Sequence, residues 1–103
     1  MRLGRRPFAD LVRRQLDLLA SDEAALLEEA RTAELAWQRA GRECAEEAYG
    51  DWQLVADAIA ERLLDLRETY AATLDGDGPN AYRRSFGKAV SKRLPRFGGL
   101  LDE

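Results

Sequence analysis

Six basic side chains near the C-terminal end of the sequence have the clearest capacity to bind a ligand. They are Arg83, Arg84, Lys88, Lys92, Arg93 and Arg96. Basic segments of this kind bind anions such as nucleic acid or anionic lipid. The sequence lacks the combined aromatic and basic signature of RNA-binding modules, and the whole chain has a net charge of −3. It therefore identifies candidate anion-binding residues without favouring nucleic acid as the partner.

The residue types give little support to catalysis or metal binding. The chain contains no histidine, so a common general base and metal ligand is missing. Glutamates such as Glu28, Glu43 and Glu61 could line a helical bundle, but di-iron bundles combine glutamate with Glu-x-x-His pairs. No nucleophile and base pair and no phosphate-binding loop is evident. We predict no catalytic residue, no metal site and no cofactor, and so not an enzyme.

Cys44 is the single cysteine, which excludes an intramolecular disulfide and a multi-thiolate zinc site. Its neighbours Glu43, Glu46 and Glu47 disfavour a thiolate. We predict a buried or half-buried structural cysteine, with a reactive thiol or a crosslink between two copies as the alternative.

Asp75-Gly76-Asp77-Gly78 resembles the first residues of a calcium-binding loop. An EF-hand needs an acidic residue at its twelfth position, which here is Phe86. The segment therefore predicts a turn that precedes a helix beginning at Pro79.

The composition predicts a single all-α domain over residues 1–103. Ala and Leu make up about a third of the chain and β-branched residues are few, which favours helix almost everywhere. A first helix is expected over residues 7–20, because Pro7 suits a first helical position. Its apolar stripe consists of Phe8, Leu11, Val12, Leu16 and Leu19. Ser21 then predicts an N-cap for a second helix starting at Asp22.

Two architectures compete for the following segment. A coiled-coil-like stripe with steps of three and four residues continues in phase across Gly50, which favours one long helix from about Asp22 to Leu74. The alternative is a monomeric four-helix bundle in which the chain turns at Gly50-Asp51, with glycine ending one helix and aspartate capping the next. We expect the long central helix, with a short antiparallel helix folded back at each end.

The last helix is predicted to span residues 79–94, because Pro95 disfavours helical backbone at the residue before it. Residues 96–103 are predicted to form a tail, which is flexible unless Phe97, Leu100 and Leu101 dock it.

The charges are unevenly distributed. Residues 1–14 and residues 81–103 each have a net charge of +4, whereas residues 15–80 carry −11. We expect the two basic segments to fold back on the acidic centre, where the available partners are Glu28, Glu34, Glu61, Asp65 and Glu68. Exposed ion pairs contribute only about 0–1 kcal/mol each, so this pairing would orient the helices more than stabilise them.

A long helix with one short helix at each end would leave its aromatic residues uncovered in a monomer. Two copies crossing at their midpoints would complete a four-helix bundle at each end, so we predict a homodimer. The expected interface consists of Trp37, Ala40, Gly41, Cys44, Ala48, Trp52 and Ile59.

These observations predict a small non-enzymatic helical protein that acts as a homodimeric scaffold or regulatory protein-protein interaction module. Its protein partner is unknown; the alternative function is binding of nucleic acid or another anionic partner through the basic terminal segments. Charged residues interrupt Phe8 to Leu19, so the basic start is no secretory signal, and no apolar run is long enough for a membrane span. We predict a cytoplasmic protein without membrane association.

Overall fold

Five helices make up the part of the chain that the structure describes, residues 7–98. In the computed structural model, α1 spans Ala9–Asp22, α2 Ala24–Arg39, α3 Ala45–Ala71, α4 Gly78–Arg93 and α5 Pro95–Gly98. No strand occurs in these residues, so the predicted all-α class is confirmed.

The first helix ends later than its predicted boundary. Ser21 and Asp22 belong to its last turn, and the Glu23 N–H donates to the Leu19 carbonyl at 2.8 Å. The prediction that Ser21 caps a helix starting at Asp22 was therefore wrong. Glu23 alone separates α1 from α2, and it stands at the N-cap position without a side-chain hydrogen bond. The buried residues of α1 lie on the predicted stripe and are Val12, Leu16 and Leu19.

The chain reverses direction at residues 40–44, between α2 and α3. Ala40 has extended backbone (φ −66°, ψ 137°), and the Cys44 N–H donates to the Gly41 carbonyl at 3.0 Å. The predicted helix from Asp22 to Leu74 was therefore wrong, because this loop interrupts it. A turn at Gly50-Asp51 was wrong as well, because α3 continues through both residues.

Three aromatic side chains explain why the reversal is favourable. The Trp37 ring of α2 lies 4.7 Å from the Tyr49 ring and 5.5 Å from the Trp52 ring of α3, measured between centroids. In one continuous helix the two tryptophans would stand about 22 Å apart, at 1.5 Å of rise per residue. Folding back lets a single chain pack these rings against one another.

The helices α2 and α3 are antiparallel along the length of α2. Trp37, near the end of α2, contacts the first turns of α3. Glu23, just before α2, pairs with Arg62 in the second half of α3, with 3.4 Å between Oε2 and Nε. The result is a helical hairpin in a molecule whose principal extents are 55, 26 and 25 Å.

Helices α1 and α4 complete the core beside this hairpin, and Tyr82 of α4 connects them. Its ring centroid lies 4.8 Å from that of Tyr70 in α3 and 5.6 Å from that of Phe8. Its hydroxyl donates to Gln15 Oε1 of α1 at 2.8 Å, so the one polar atom of this buried ring has a partner. The most deeply buried large side chains are Val12, Ile59, Leu63, Tyr82, Phe86 and Val90.

The C-terminal part of the described chain follows the prediction up to Pro95. Leu94 leaves helical backbone (φ −132°, ψ 70°), which ends α4 immediately before the proline. Phe97 of α5 is only 7% exposed and belongs to the core cluster, so the start of the predicted tail is docked. The remainder of the tail, residues 99–103 with Leu100 and Leu101, lies outside the described residues.

No helix within residues 7–98 combines the length and the apolar composition that a membrane crossing requires. The longest, α3, has 27 residues, but Asp57, Glu61 and Arg62 interrupt its apolar side chains.

Replacing Gly50 with alanine should stabilise the protein. Gly50 lies inside α3, and a Cβ added there would meet no atom within 4 Å. We expect Gly50→Ala to raise the free energy of unfolding by about 0.5–1 kcal/mol, because alanine favours helix over glycine. Thermal denaturation followed by circular dichroism measures the change.

The matched control is Gly76→Ala in the loop before α4. An added Cβ is also free of contacts there, but φ is +59°, which alanine adopts at a cost of about 1 kcal/mol. This variant should be less stable than the wild type. A Gly50→Ala variant that unfolds at a lower temperature than the wild type would contradict the continuity of α3.

Candidate interaction sites

The C-terminal basic segment folds back on the rest of the chain through three ion pairs. Arg83 donates from Nε and Nη2 to the two carboxylate oxygens of Glu68 in α3, at 2.9 and 2.8 Å. Arg96 of α5 lies 2.7 Å from Glu34 of α2. The expected pairing with these two glutamates is confirmed. Arg93 pairs at 2.6 Å with Asp17 of α1, which was not among the expected partners.

Glu68 is the most strongly perturbed carboxyl group of this network. The pKa of Glu68 is lowered from its ordinary 4.5 to about 2, chiefly by the hydrogen bond from Arg83; burial opposes the shift, and a hydrogen bond from Arg67 adds to it. The carboxylate thus stays ionised throughout the physiological range. Its role is to hold α4 against α3.

Three cations of the same segment remain without an ion pair among the described residues: Arg84, Lys88 and Lys92. We call them the basic row. They follow one another at intervals of four residues, so they lie on one side of α4. All three are exposed.

A groove between α1 and α4 runs beside the basic row, with a volume of about 340 Å³. We call it the basic groove. Its apolar lining consists of Ala9, Leu16 and Ala89, and its cations are Arg13, Lys88, Lys92 and Arg93. A second, more open groove on the other side of α4 is lined by Arg67, Arg83, Arg84 and again by Lys88 and Lys92. Neither groove is lined by an aspartate or a glutamate in the described part of the chain.

The predicted interface residues differ in their exposure, and two of them belong to the core of the single chain. Ile59 is 1% and Trp52 9% exposed, because both pack in the core of one chain. Ala40, Gly41 and Cys44 lie at the loop between α2 and α3, and Trp37 and Ala48 are half-buried beside it. Cys44 is exposed, so the prediction of a buried or half-buried cysteine was wrong.

An exposed apolar groove on the hairpin was missed by the sequence analysis. We call it the hairpin groove, since it lies between α2 and α3 and has a volume of about 540 Å³. Leu54 lines this groove and is 72% exposed. The sequence signal that could have revealed this groove is that Leu54 is a leucine outside the apolar stripe of α3. The lining residues are Glu29, Thr32, Ala33, Ala36, Ala48, Asp51, Leu54 and Val55.

The described residues bring together no cluster of three or more potential metal ligands. Among the tyrosines, burial raises the pKa of Tyr82 to about 12, although its hydrogen bond with Gln15 opposes the shift. Such a hydroxyl stays protonated at neutral pH and serves packing. The candidate interaction sites are therefore the basic groove and the hairpin groove.

Comparison with known proteins identifies no relative, because no family model, curated protein or solved structure matches the chain significantly.

Glu68→Gln should weaken the contact between α3 and α4. The folded-state pKa of Glu68 is depressed, so its contribution to stability is fully present above pH 4.5 and disappears as the pH falls towards 2. The Glu68 side chain is 44% exposed, so solvent screens the pair. We expect the variant to lose about 1 kcal/mol of unfolding free energy at neutral pH. Urea denaturation at several pH values measures this loss.

Glu61→Gln is the matched control, because Glu61 is exposed on α3 and has no ion pair among residues 7–98. It should leave stability nearly unchanged at every pH. A stability difference between the wild type and Glu68→Gln that does not shrink on acidification would contradict the role of the Glu68 carboxylate.

Proposed function

We propose that the protein is a non-enzymatic helical interaction module that forms a homodimer through the hairpin groove. The observation that carries the proposal is the exposure of Leu54 in an apolar groove between two helices. A leucine at this level of exposure gains about 1.5–3 kcal/mol when a partner buries it completely.

A two-fold symmetric contact fits this groove because it uses the same patch of both copies. Leu54 of one copy would pack over the small residues of the other, where Ala33, Ala36 and Ala48 leave room for a side chain. Two hairpins packed face to face form a four-helix layer, which is a common solution for exposed helix pairs. This interface replaces the predicted crossing of two long helices. Of the predicted interface residues it uses Ala48.

The oligomeric state tests this proposal directly. Size exclusion coupled to light scattering should give a molar mass near twice 11.6 kDa at micromolar concentration. Leu54→Asp should reduce it to the mass of one chain, because a carboxylate would be buried at the symmetric contact.

Leu18→Asp is the matched control, since Leu18 is a 64% exposed leucine on α1, away from the hairpin groove. It should leave the dimer intact. Cys44→Ser should leave it intact as well, with and without reductant, because the contact needs no disulfide. A wild-type mass of one chain at micromolar concentration would rule out the homodimer.

The proposed location is the cytoplasm. Cys44 is exposed and free, and an exposed thiol persists most readily in a reducing compartment. A fusion to a fluorescent protein, followed by fractionation, tests the location.

The second candidate function is binding of an anionic partner. Three unpaired cations in the basic row support it, because their charge is not used within the described part of the chain. Of the six predicted anion-binding residues, Arg83, Arg93 and Arg96 are already paired with carboxylates. The binding capacity is thus concentrated on Arg84, Lys88 and Lys92. Nucleic acid is one such partner, and its binding would weaken steeply with added salt.

A further inference from the structure

The basic groove combines positive charge with apolar surface. Leu16 is 2% exposed and Ala9 and Ala89 are half-buried, so they form its floor. Lys88 and Lys92 are exposed at its edge. A site built only for phosphate groups needs charge and hydrogen-bond donors but no such floor. The groove therefore fits a ligand that has an apolar side as well as negative charges.

The basic row is short. From Arg84 to Lys92 the basic row covers about 12 Å along α4. Asp75 and Asp77 lie in the loop before α4. On α1, Asp10 and Asp17 already pair with Arg13 and Arg93, at 3.2 and 2.6 Å. A long polyanion would run past the basic row towards Asp75 and Asp77, whereas a ligand about two helical turns long would not.

We propose that the basic groove binds an acidic amphipathic helical segment of a partner protein. This inference deepens the second candidate function and rests on it. The apolar side of the segment lies on Ala9, Leu16 and Ala89, and its carboxylates face Lys88 and Lys92.

The spacing of the cations matches the geometry of a helix. Lys88 and Lys92 are one turn apart on α4, and so are carboxylates at positions i and i+4 of a bound helix. A segment lying along the groove could pair two acidic residues with these two lysines, which both line it. Recognition of an amphipathic helix by a groove is a recurring mode of peptide binding.

Fluorescence anisotropy at low ionic strength with three labelled probes tests the inference. The first probe is a synthetic amphipathic peptide with leucines at helical spacing and glutamates at i and i+4. The second is a peptide of the same composition, scrambled so that it has no apolar face. The third is a single-stranded oligonucleotide of equal net charge. We expect the first probe to bind about tenfold more tightly than the second, because only it can bury its leucines on the floor of the groove.

Two double variants distinguish binding at the basic groove from an effect of the net charge of the protein. Lys88→Glu with Lys92→Glu should weaken binding of the amphipathic peptide by about tenfold or more, because attraction becomes repulsion at both positions. Arg39→Glu with Arg42→Glu changes the net charge equally, at exposed positions beside the loop between α2 and α3. This control should bind the peptide like the wild type. All these substitutions are at exposed positions, and circular dichroism verifies that helicity is kept.

The remaining outcomes overturn the inference in distinguishable ways. Equal binding of the two peptides, or tighter binding of the oligonucleotide, would show a general anion site or a nucleic-acid site. If Lys88→Glu with Lys92→Glu also weakens the binding of these probes, the second candidate function is retained. The assignment of an amphipathic peptide as the ligand is then wrong. Absence of binding by every probe overturns both. Peptide binding that survives Lys88→Glu with Lys92→Glu places the site elsewhere. None of these outcomes depends on the homodimer, because Leu54 lies on a different surface.

Discussion

The apolar face of α3 is the feature on which the rest of the structure depends. This helix of 27 residues has six buried side chains, and other helices must cover them to remove their apolar surface from water. The hairpin partner α2 packs along part of it, and α4 and α5 also pack against it. The buried residues of α3 are Trp52, Ala56, Ile59, Ala60, Leu63 and Ala71.

Covering α3 also decides which cations are available for binding. Arg83 and Arg84 are neighbours in sequence but lie about 100° apart around α4. Arg83 lies on the side that meets α3 and donates two hydrogen bonds to Glu68. Arg84 is exposed with Lys88 and Lys92. The same basic segment therefore contributes both an internal clamp and a row of exposed cations.

The hairpin groove and the basic groove arise from different parts of the fold. The hairpin groove lies between α2 and α3, where Leu54 stays exposed. The basic groove lies between α1 and α4, over Ala9, Leu16 and Ala89. They are formed by different helix pairs, α2 with α3 and α1 with α4.

The sequence by itself determined the helical class, the position of α4, the apolar stripe of α1 and the unequal distribution of charge. These follow from local preferences, because helix propensity, proline geometry and periodicity act within one or two turns. The tertiary structure alone decided where the long apolar stripe is interrupted and which cations are paired. An in-phase stripe is equally compatible with one helix that meets a second chain and with two helices that meet each other, since both bury the same face. Contacts between distant residues stabilise the second arrangement, because Trp37 packs on Tyr49 and Trp52 across the loop at residues 40–44.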